Sequence, residues 1–175
     1  TEEDFSTVFY FNIFVATLFY FALFSAAPVI ANFYNTPLLE SITKVVALNL
    51  IIGSLSGIHN AKLSIAIDFK SRAKISIAST LLTGAVGLWM AYAGYGVWAL
   101  VVQNLFSSVI RTVLLWVIVK WYPKLVFSWK SFKELFSFGS KLLASALLDT
   151  LYNNIYTLVI GKVFSSSTLG VYSKA

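Results

Sequence analysis

Long apolar runs constrain this chain more than any other feature, because four of them follow one another within the first 120 residues. They cover approximately residues 8–31, 42–67, 75–93 and 97–119. A helix that spans a bilayer needs about 20 mostly apolar residues, and each run is close to that length or longer. Only 11% of the residues are charged, whereas soluble domains have about 25%. The sequence therefore predicts an all-α, polytopic transmembrane helix bundle.

The segment after the fourth run changes character. Residues 121–138 are basic and aromatic, and Ser131 to Phe138 has the amphipathic pattern of a helix that lies at the membrane surface. Residues 139–175 are again largely apolar, and Gly139 permits a bend before them. We therefore predict a short interfacial helix followed by a fifth span.

Polar and small residues recur at helical spacing within three of the predicted spans. The row of the second span contains Asn49, Gly53, Ser56, Asn60 and Ser64. The row of the fourth span contains Asn104, Ser107, Ser108 and Arg111. The third span has two rows, Ser76, Thr80 and Gly84, and Ser79, Thr83 and Gly87. The row of the second span forms either a seam for close helix packing or the wall of a polar cavity, and the pattern leaves both interpretations open. The two rows of the third span favour close helix contact.

Cations within the apolar runs are candidates for function, because a charge in hydrocarbon is costly unless it faces a bundle interior or a wet cavity. Arg111 lies about 13 Å from the basic end of the fourth run at 1.5 Å per residue. We predict that Arg111 and Lys141 attract an anionic substrate. Asn104, Asn153 and Tyr156 are the predicted hydrogen-bonding groups of the same cavity. The alternative for Arg111 is a side chain that extends to the membrane surface.

Two further ionisable residues are candidates for coupling or ion pairing. Asp149 lies in the fifth run, and we expect Arg111 to reach either Asp149 or a cavity, so Asp149 has a structural and a functional interpretation. His59 lies at the edge of the polar row of the second span. Its ordinary pKa near neutrality suits proton coupling, but a hydrogen-bonded packing residue is the alternative.

The positive charges are distributed unevenly between the two ends of the predicted bundle. The end that carries the N-terminus holds seven basic loop residues, namely Lys70, Arg72, Lys74, Lys120, Lys124, Lys130 and Lys133. The other end holds three, namely Lys44, Lys162 and Lys174. Because cytoplasmic loops are enriched in Lys and Arg, we predict that the N-terminal end is cytoplasmic. The net charge of +6 then reflects membrane orientation and indicates no nucleic-acid partner.

Composition also limits the chemistry of the chain. It contains no cysteine, which excludes a disulfide framework and thiol-ligated metals, and we expect neither a metal nor a cofactor. The sequence begins without an initiator methionine and ends shortly after an apolar run. We therefore expect it to be an interior piece of a longer protein.

Several short motifs resemble those of a known membrane-protein family. The motifs are Tyr95–Leu100, Phe127–Lys130, Glu134–Lys141, Leu148–Asp149, Tyr152–Asn154 and Leu158–Lys162. They are similar to the polysaccharide-transporter branch of the multidrug/oligosaccharidyl-lipid/polysaccharide superfamily. The resemblance covers essentially the whole chain.

The resemblance implies a division of the chain and a function. Residues 1–120 correspond to spans three to six of a first lobe, residues 121–138 to a cytoplasmic linker, and residues 139–175 to the first span of a second lobe. Such proteins flip or export a polyprenyl-diphosphate-linked oligosaccharide, an O-antigen or exopolysaccharide repeat unit, by alternating access and without enzymatic activity. The implied location is the bacterial inner membrane. The implied partners are the lipid-linked substrate, the bilayer and proteins of polysaccharide polymerisation or assembly.

Three other functions compete with this expectation. A drug or ion antiporter of the same superfamily would be expected to have acidic residues in the first four apolar runs, which contain none. A membrane-embedded glycan polymerase or ligase would need acid–base pairs or a basic loop on the outer face. The turn at residues 94–96 is too short for such a loop, and the connector between the first two spans offers only Glu40 and Lys44. In a structural or assembly subunit, the buried charges would all pair with one another.

Overall fold

A computed structural model describes residues 2–163, apart from the side chains at positions 138, 153 and 156–163. Within that range the chain forms five helices and no strand. They are α1 (Glu2–Phe33), α2 (Leu38–Ile65), α3 (Phe69–Tyr92), α4 (Val97–Val119) and α5 (Trp129–Val163). The predicted all-α helix bundle is confirmed.

Four of the described helices, α1 to α4, are long and apolar enough to cross a membrane. Each of these helices includes its predicted apolar run, except for at most two residues at one end. α1 begins before its apolar run, and its first turn contains Glu2, Glu3 and Asp4, whose negative charges are favourable at a helix N-terminus. Many large apolar side chains are exposed on these helices, as expected for surfaces that face lipid. The chain is a multi-pass membrane protein.

Turn residues decide where the spans begin. The Asp68 carboxylate accepts a hydrogen bond from the backbone amide of Ser71 at 3.0 Å and so caps α3. Hydrogen bonds from the side chain and the backbone amide of Ser71 to the Asp68 carboxylate lower the pKa of Asp68 below its usual 3.8. Between α3 and α4, Gly94 and Gly96 have φ angles of 82° and 54°. L side chains rarely adopt such angles, so these two glycines permit the abrupt reversal.

The spans do not pack in chain order. α2 packs between α1 and α4, and α4 packs between α2 and α3, while α2 and α3 touch only slightly. α2 and α4 run in the same direction, because their contacts advance together from Asn49–Asn104 to Leu55–Trp116. The helices therefore form the series α1, α2, α4, α3, in which two helices that are not consecutive in sequence share a long interface.

One of the two small-residue rows of α3 forms the contact with α4. Ser79, Thr83 and Gly87 are buried, whereas Ser76 and Thr80 are exposed. The packing interpretation therefore holds for the row of Ser79, Thr83 and Gly87. The close approach is greatest at Gly87, where an added Cβ would lie 2.5 Å from the side chain of Gln103.

Replacing Gly87 with leucine is expected to destabilise the α3–α4 contact by roughly 1–3 kcal/mol, the usual effect of overpacking. Rotation of Gln103 can make room for a single methyl group but not for a whole leucine side chain. Gly84→Leu is the matched control, because nothing lies within 4 Å of a Cβ at that position. Thermal unfolding in detergent measures the difference. Equal melting temperatures for the two variants would show that the close approach at Gly87 does not matter.

Large apolar side chains form two buried clusters at one end of the four spans. One cluster there contains Phe9, Ile58 and Trp121, and a second contains Leu63, Ile75 and Leu115. These residues come from the start of α1, the end of α2, the start of α3, the end of α4 and the segment after α4. The end that we predict to be cytoplasmic is therefore firmly packed.

α5 is one continuous helix from Trp129 to Val163, where the sequence predicted an interfacial helix and a span divided at Gly139. A single glycine costs a helix only about 1 kcal/mol, and the neighbouring Leu135, Lys141 and Leu142 favour helix. Of the described helices only α1 to α4 are long and apolar enough to span. The fifth span stays a prediction, because residues 164–175 lie outside the described range.

Candidate functional site

The polar row of α4 places a cation well inside a membrane span. Arg111 lies eight residues before Val119, the end of α4, which is about 12 Å along the helix axis. Its side chain is exposed. Within the part of the chain that the structure describes, it makes no salt bridge and no hydrogen bond. Such a cation is costly in a membrane unless it faces water, protein or a ligand, or its side chain extends to the membrane surface.

The polar rows of α2 and α4 open on the same side of the helix pair. Asn49 donates its Nδ2 to Oδ1 of Asn104 at 3.0 Å, which joins the two rows directly. At 100° per residue, Asn60 lies about 20° from Asn49 around α2, and Arg111 lies about 20° from Asn104 around α4. Because the two helices are adjacent and parallel, the rows form one surface. We call it the α2–α4 polar face.

The contact between α2 and α4 lies beside this polar face and leaves most of it open. Thr112 donates its hydroxyl to the carbonyl of Ile52 at 3.4 Å, and the indole nitrogen of Trp116 donates to the carbonyl of Leu55 at 3.0 Å. Asn104 and Arg111 remain exposed. Of the two interpretations of these rows, a packing seam accounts for Asn49 and Asn104, whereas Arg111 lies outside any seam that the described helices form.

Most polar groups of the α2 row bond within their own helix. Ser56 donates to the carbonyl of Gly53, and Asn60 donates to the carbonyl of Ser56. At the end of the row, Arg72 of α3 donates to the hydroxyl of Ser64 at 2.6 Å. The polar face therefore has one cation within the span, Arg111, and a second where the basic loop meets α2.

His59 lies on a different face of α2 and is completely buried. Its ring stacks on Trp116 with centroids 4.7 Å apart, and its Nε2 lies 3.1 Å from the carbonyl oxygen of Trp121. A carbonyl oxygen only accepts hydrogen bonds, so Nε2 is the protonated nitrogen. Proton coupling through His59 stays untested, but its location favours the packing interpretation.

An ion-pair cluster that sequence reasoning missed lies beside His59, which it contacts through Trp121. Lys62 pairs with Glu2 at 2.7 Å, and the indole nitrogen of Trp121 donates to the same carboxylate at 2.6 Å. The Lys62 ammonium also lies over the rings of Phe5 and Trp121, 4.7 and 5.1 Å from their centroids. The only signal in the sequence is that these residues lie near span ends on the same predicted side. The cluster holds the segment after α4 against the start of α1 and the end of α2.

The remaining candidates belong to α5. Lys141 and Asp149 are exposed and eight residues apart on this helix. The side chains of Asn153 and Tyr156 lie outside the described residues. Arg111 belongs to a compact unit that ends at Phe127, and Asp149 belongs to a second unit that begins at Ser128. Their pairing stays a prediction.

Comparison with known proteins gives relatives in polysaccharide synthesis and transport. The teichuronic acid biosynthesis protein TuaB of Bacillus subtilis is 29% identical over 100% of this chain and 37% of its own length. The succinoglycan biosynthesis transport protein ExoT of Rhizobium meliloti is 23% identical over 99% of this chain and 35% of its own. The amylovoran biosynthesis protein AmsL of Erwinia amylovora is 28% identical over 100% of this chain and 46% of its own. The chain thus spans less than half the length of these relatives.

No solved structure matches this chain. A family model described as polysaccharide biosynthesis protein matches residues 1–175, which is the full sequence. The match agrees with the four apolar spans and with the names of the relatives. The chain belongs to this family of polysaccharide biosynthesis proteins.

Proposed function

We propose that this chain forms part of a transporter that moves a polyprenyl-diphosphate-linked oligosaccharide across the bacterial inner membrane by alternating access. The observation that carries the proposal is Arg111, an exposed cation within a span on the α2–α4 polar face. The names of the relatives support a role in polysaccharide biosynthesis or transport. The transporter itself makes or breaks no covalent bond in the glycan.

The physical basis is the attraction between an anion and a single cation in a medium of low dielectric constant. Such an attraction is several times stronger than in water, so one guanidinium can hold a diphosphate or an acidic sugar. Transport also requires release, and a site with one or two cations releases an anion more readily than a densely charged one. Asn104 and the hydroxyls of the polar face offer hydrogen bonds to sugars.

Further roles follow from the same proposal. Lys141, Asn153 and Tyr156 contribute to the cavity from α5, and Asp149 exchanges its ion-pair partner as the transporter changes state. The end of the spans that carries Glu2 and Trp121 faces the cytoplasm, because the basic loop residues lie there. We propose that the firmly packed clusters at that end keep the four spans together while other parts of the protein move.

The test uses a host that lacks its own transporter for a surface polysaccharide but still makes the lipid-linked repeat unit. The natural protein, expressed at full length, is expected to restore surface polysaccharide when its cognate glycan is supplied. Without it, lipid-linked units should accumulate in the inner leaflet, where outside reagents cannot label them. Restored polymer with labelled units on the outer leaflet supports the proposal.

The same experiment separates the competing functions. A polymerase or ligase would leave single lipid-linked units on the outer leaflet in its absence, because transport would still occur. A drug or ion antiporter would change drug tolerance and leave the glycan precursors unaffected. A structural or assembly subunit would restore polymer without any effect of substituting the charges of the polar face. Any of these three results overturns the proposed function.

A further inference from the structure

A cleft of about 360 Å³ lies between α1 and the first half of α2. Its wall is almost entirely apolar, with Leu23 on α1 and Ile42, Val46 and Leu50 on α2. An apolar cavity within a membrane span does not hold ordered water, because water needs several polar partners. The cleft is therefore suited to a hydrocarbon chain.

Two polar side chains, those of Thr43 and Asn49, interrupt the apolar wall of the cleft. Asn49 lines the cleft, and its Oδ1 is buried and has no hydrogen-bond partner within the part of the chain that the structure describes. Its Nδ2 is already used, because it donates to Asn104. A buried acceptor without a donor is unfavourable.

Asn49 also makes the cleft continuous with the α2–α4 polar face, because it belongs to both. From the Asn49–Asn104 pair, the face extends to Arg111, seven residues or about 10 Å further along α4. An apolar cleft thus adjoins a surface that offers amides, hydroxyls and one cation. An amphiphile matches both surfaces. Its hydrocarbon chain suits the apolar cleft, and an anionic, hydroxyl-rich headgroup suits the adjoining polar face.

We infer that the α1–α2 cleft binds the hydrocarbon chain of the lipid-linked saccharide while its headgroup occupies the α2–α4 polar face. The inference rests on the proposed function and adds a place for the lipid part of the substrate. The lining residues of α2 belong to its first half, at the end opposite the predicted cytoplasmic side, so the cleft holds the chain in the outer half of the membrane.

A crosslinking experiment identifies the occupant. The photoreactive amino acid p-benzoylphenylalanine replaces Val46 in the full-length natural protein, in cells that make the polysaccharide. Irradiation followed by mass spectrometry of the adduct is expected to show the polyprenyl-linked saccharide. The matched control is the same substitution at Val113, an exposed position half a turn away from Asn104 on α4, which should yield phospholipid adducts. Phospholipid alone at both positions, or no adduct at Val46, would overturn the inference.

A second measurement keeps the inference separate from the proposed function. Val46→Trp fills the cleft and is expected to lower export at least tenfold at unchanged membrane levels, whereas Val113→Trp has no effect. If Val46→Trp exports normally while Arg111→Ala does not, the cleft is not a substrate site and the proposed function stands. If the unaltered protein fails to restore export at all, the proposed function itself is wrong.

Discussion

Replacing Arg111 with alanine is expected to reduce export of the surface polysaccharide by about 10- to 100-fold while the protein remains in the membrane at normal levels. The guanidinium is the only charged group on the α2–α4 polar face within the span, and charge-assisted hydrogen bonds contribute about 1.5–3 kcal/mol each. Losing that contribution corresponds to a factor of this size, since 1.4 kcal/mol is tenfold. Surface polysaccharide per cell, normalised to protein in the membrane, measures it.

Arg111→Lys is expected to retain part of the activity. Lysine keeps the positive charge but cannot make the two parallel hydrogen bonds by which arginine binds phosphate or carboxylate. An intermediate export level would therefore indicate that both charge and geometry matter. If lysine restores full export, attraction of the anion requires charge alone.

Lys74→Ala is the control for a general loss of positive charge. Lys74 is exposed in the first turns of α3, among the basic loop residues and away from the polar face. We expect this variant to export at the level of the unaltered protein. If Arg111→Ala exports as well as Lys74→Ala does, Arg111 does not bind the substrate, and its side chain only reaches the membrane surface.

Replacing Trp121 with alanine is expected to destabilise the four-span unit by about 3–5 kcal/mol, the usual cost of removing a buried aromatic side chain. Trp121 is only 7% exposed, and its ring packs against Phe5, Phe9 and His59. The variant also leaves the Glu2 carboxylate without one of its donors. Thermal unfolding in detergent, together with the rate of digestion by trypsin, measures the effect.

Trp89→Ala is the matched control, because Trp89 is 66% exposed on α3. The same chemical change at this position should shift the melting temperature little. Trp121→Phe separates packing from hydrogen bonding, since it keeps an aromatic ring but removes the indole donor to Glu2. We expect Trp121→Phe to be intermediate. If Trp121→Ala is no less stable than Trp89→Ala, the cluster does not hold α1, α2 and the segment after α4 together.

The two experiments address different parts of the molecule. Arg111 lies on an exposed face and contributes little to stability. Its replacement should therefore change transport and leave the melting temperature unaffected. Trp121 lies in the packed end of the spans, so its loss should change melting first and transport only as a consequence. A variant series that shows both patterns would distinguish the residues that bind substrate from those that maintain the bundle.

The sequence predicted the existence, order and approximate limits of α1 to α4, because the length of an apolar run is a local property. It also predicted that Arg111 shares one face of its helix with Asn104, which follows from helical geometry alone. The division of α5 at Gly139 was not found, since one glycine among good helix formers does not end a helix. Membership of a polysaccharide biosynthesis family followed from short motifs distributed along the chain.

Tertiary structure decided which helices are neighbours and which polar groups meet. Periodicity gives the face of each helix but not the helix opposite it, so the pairing of α2 with α4 could not be read from the sequence. The same holds for the bonds of Glu2 to Lys62 and to Trp121, which join residues 60 and 119 positions apart. His59 was placed at the edge of a polar row, and only the neighbouring Trp116 and Trp121 show that it is enclosed. Local patterns determined the spans, whereas the packing of distant segments determined the polar face, the cleft and the cluster that holds the spans together.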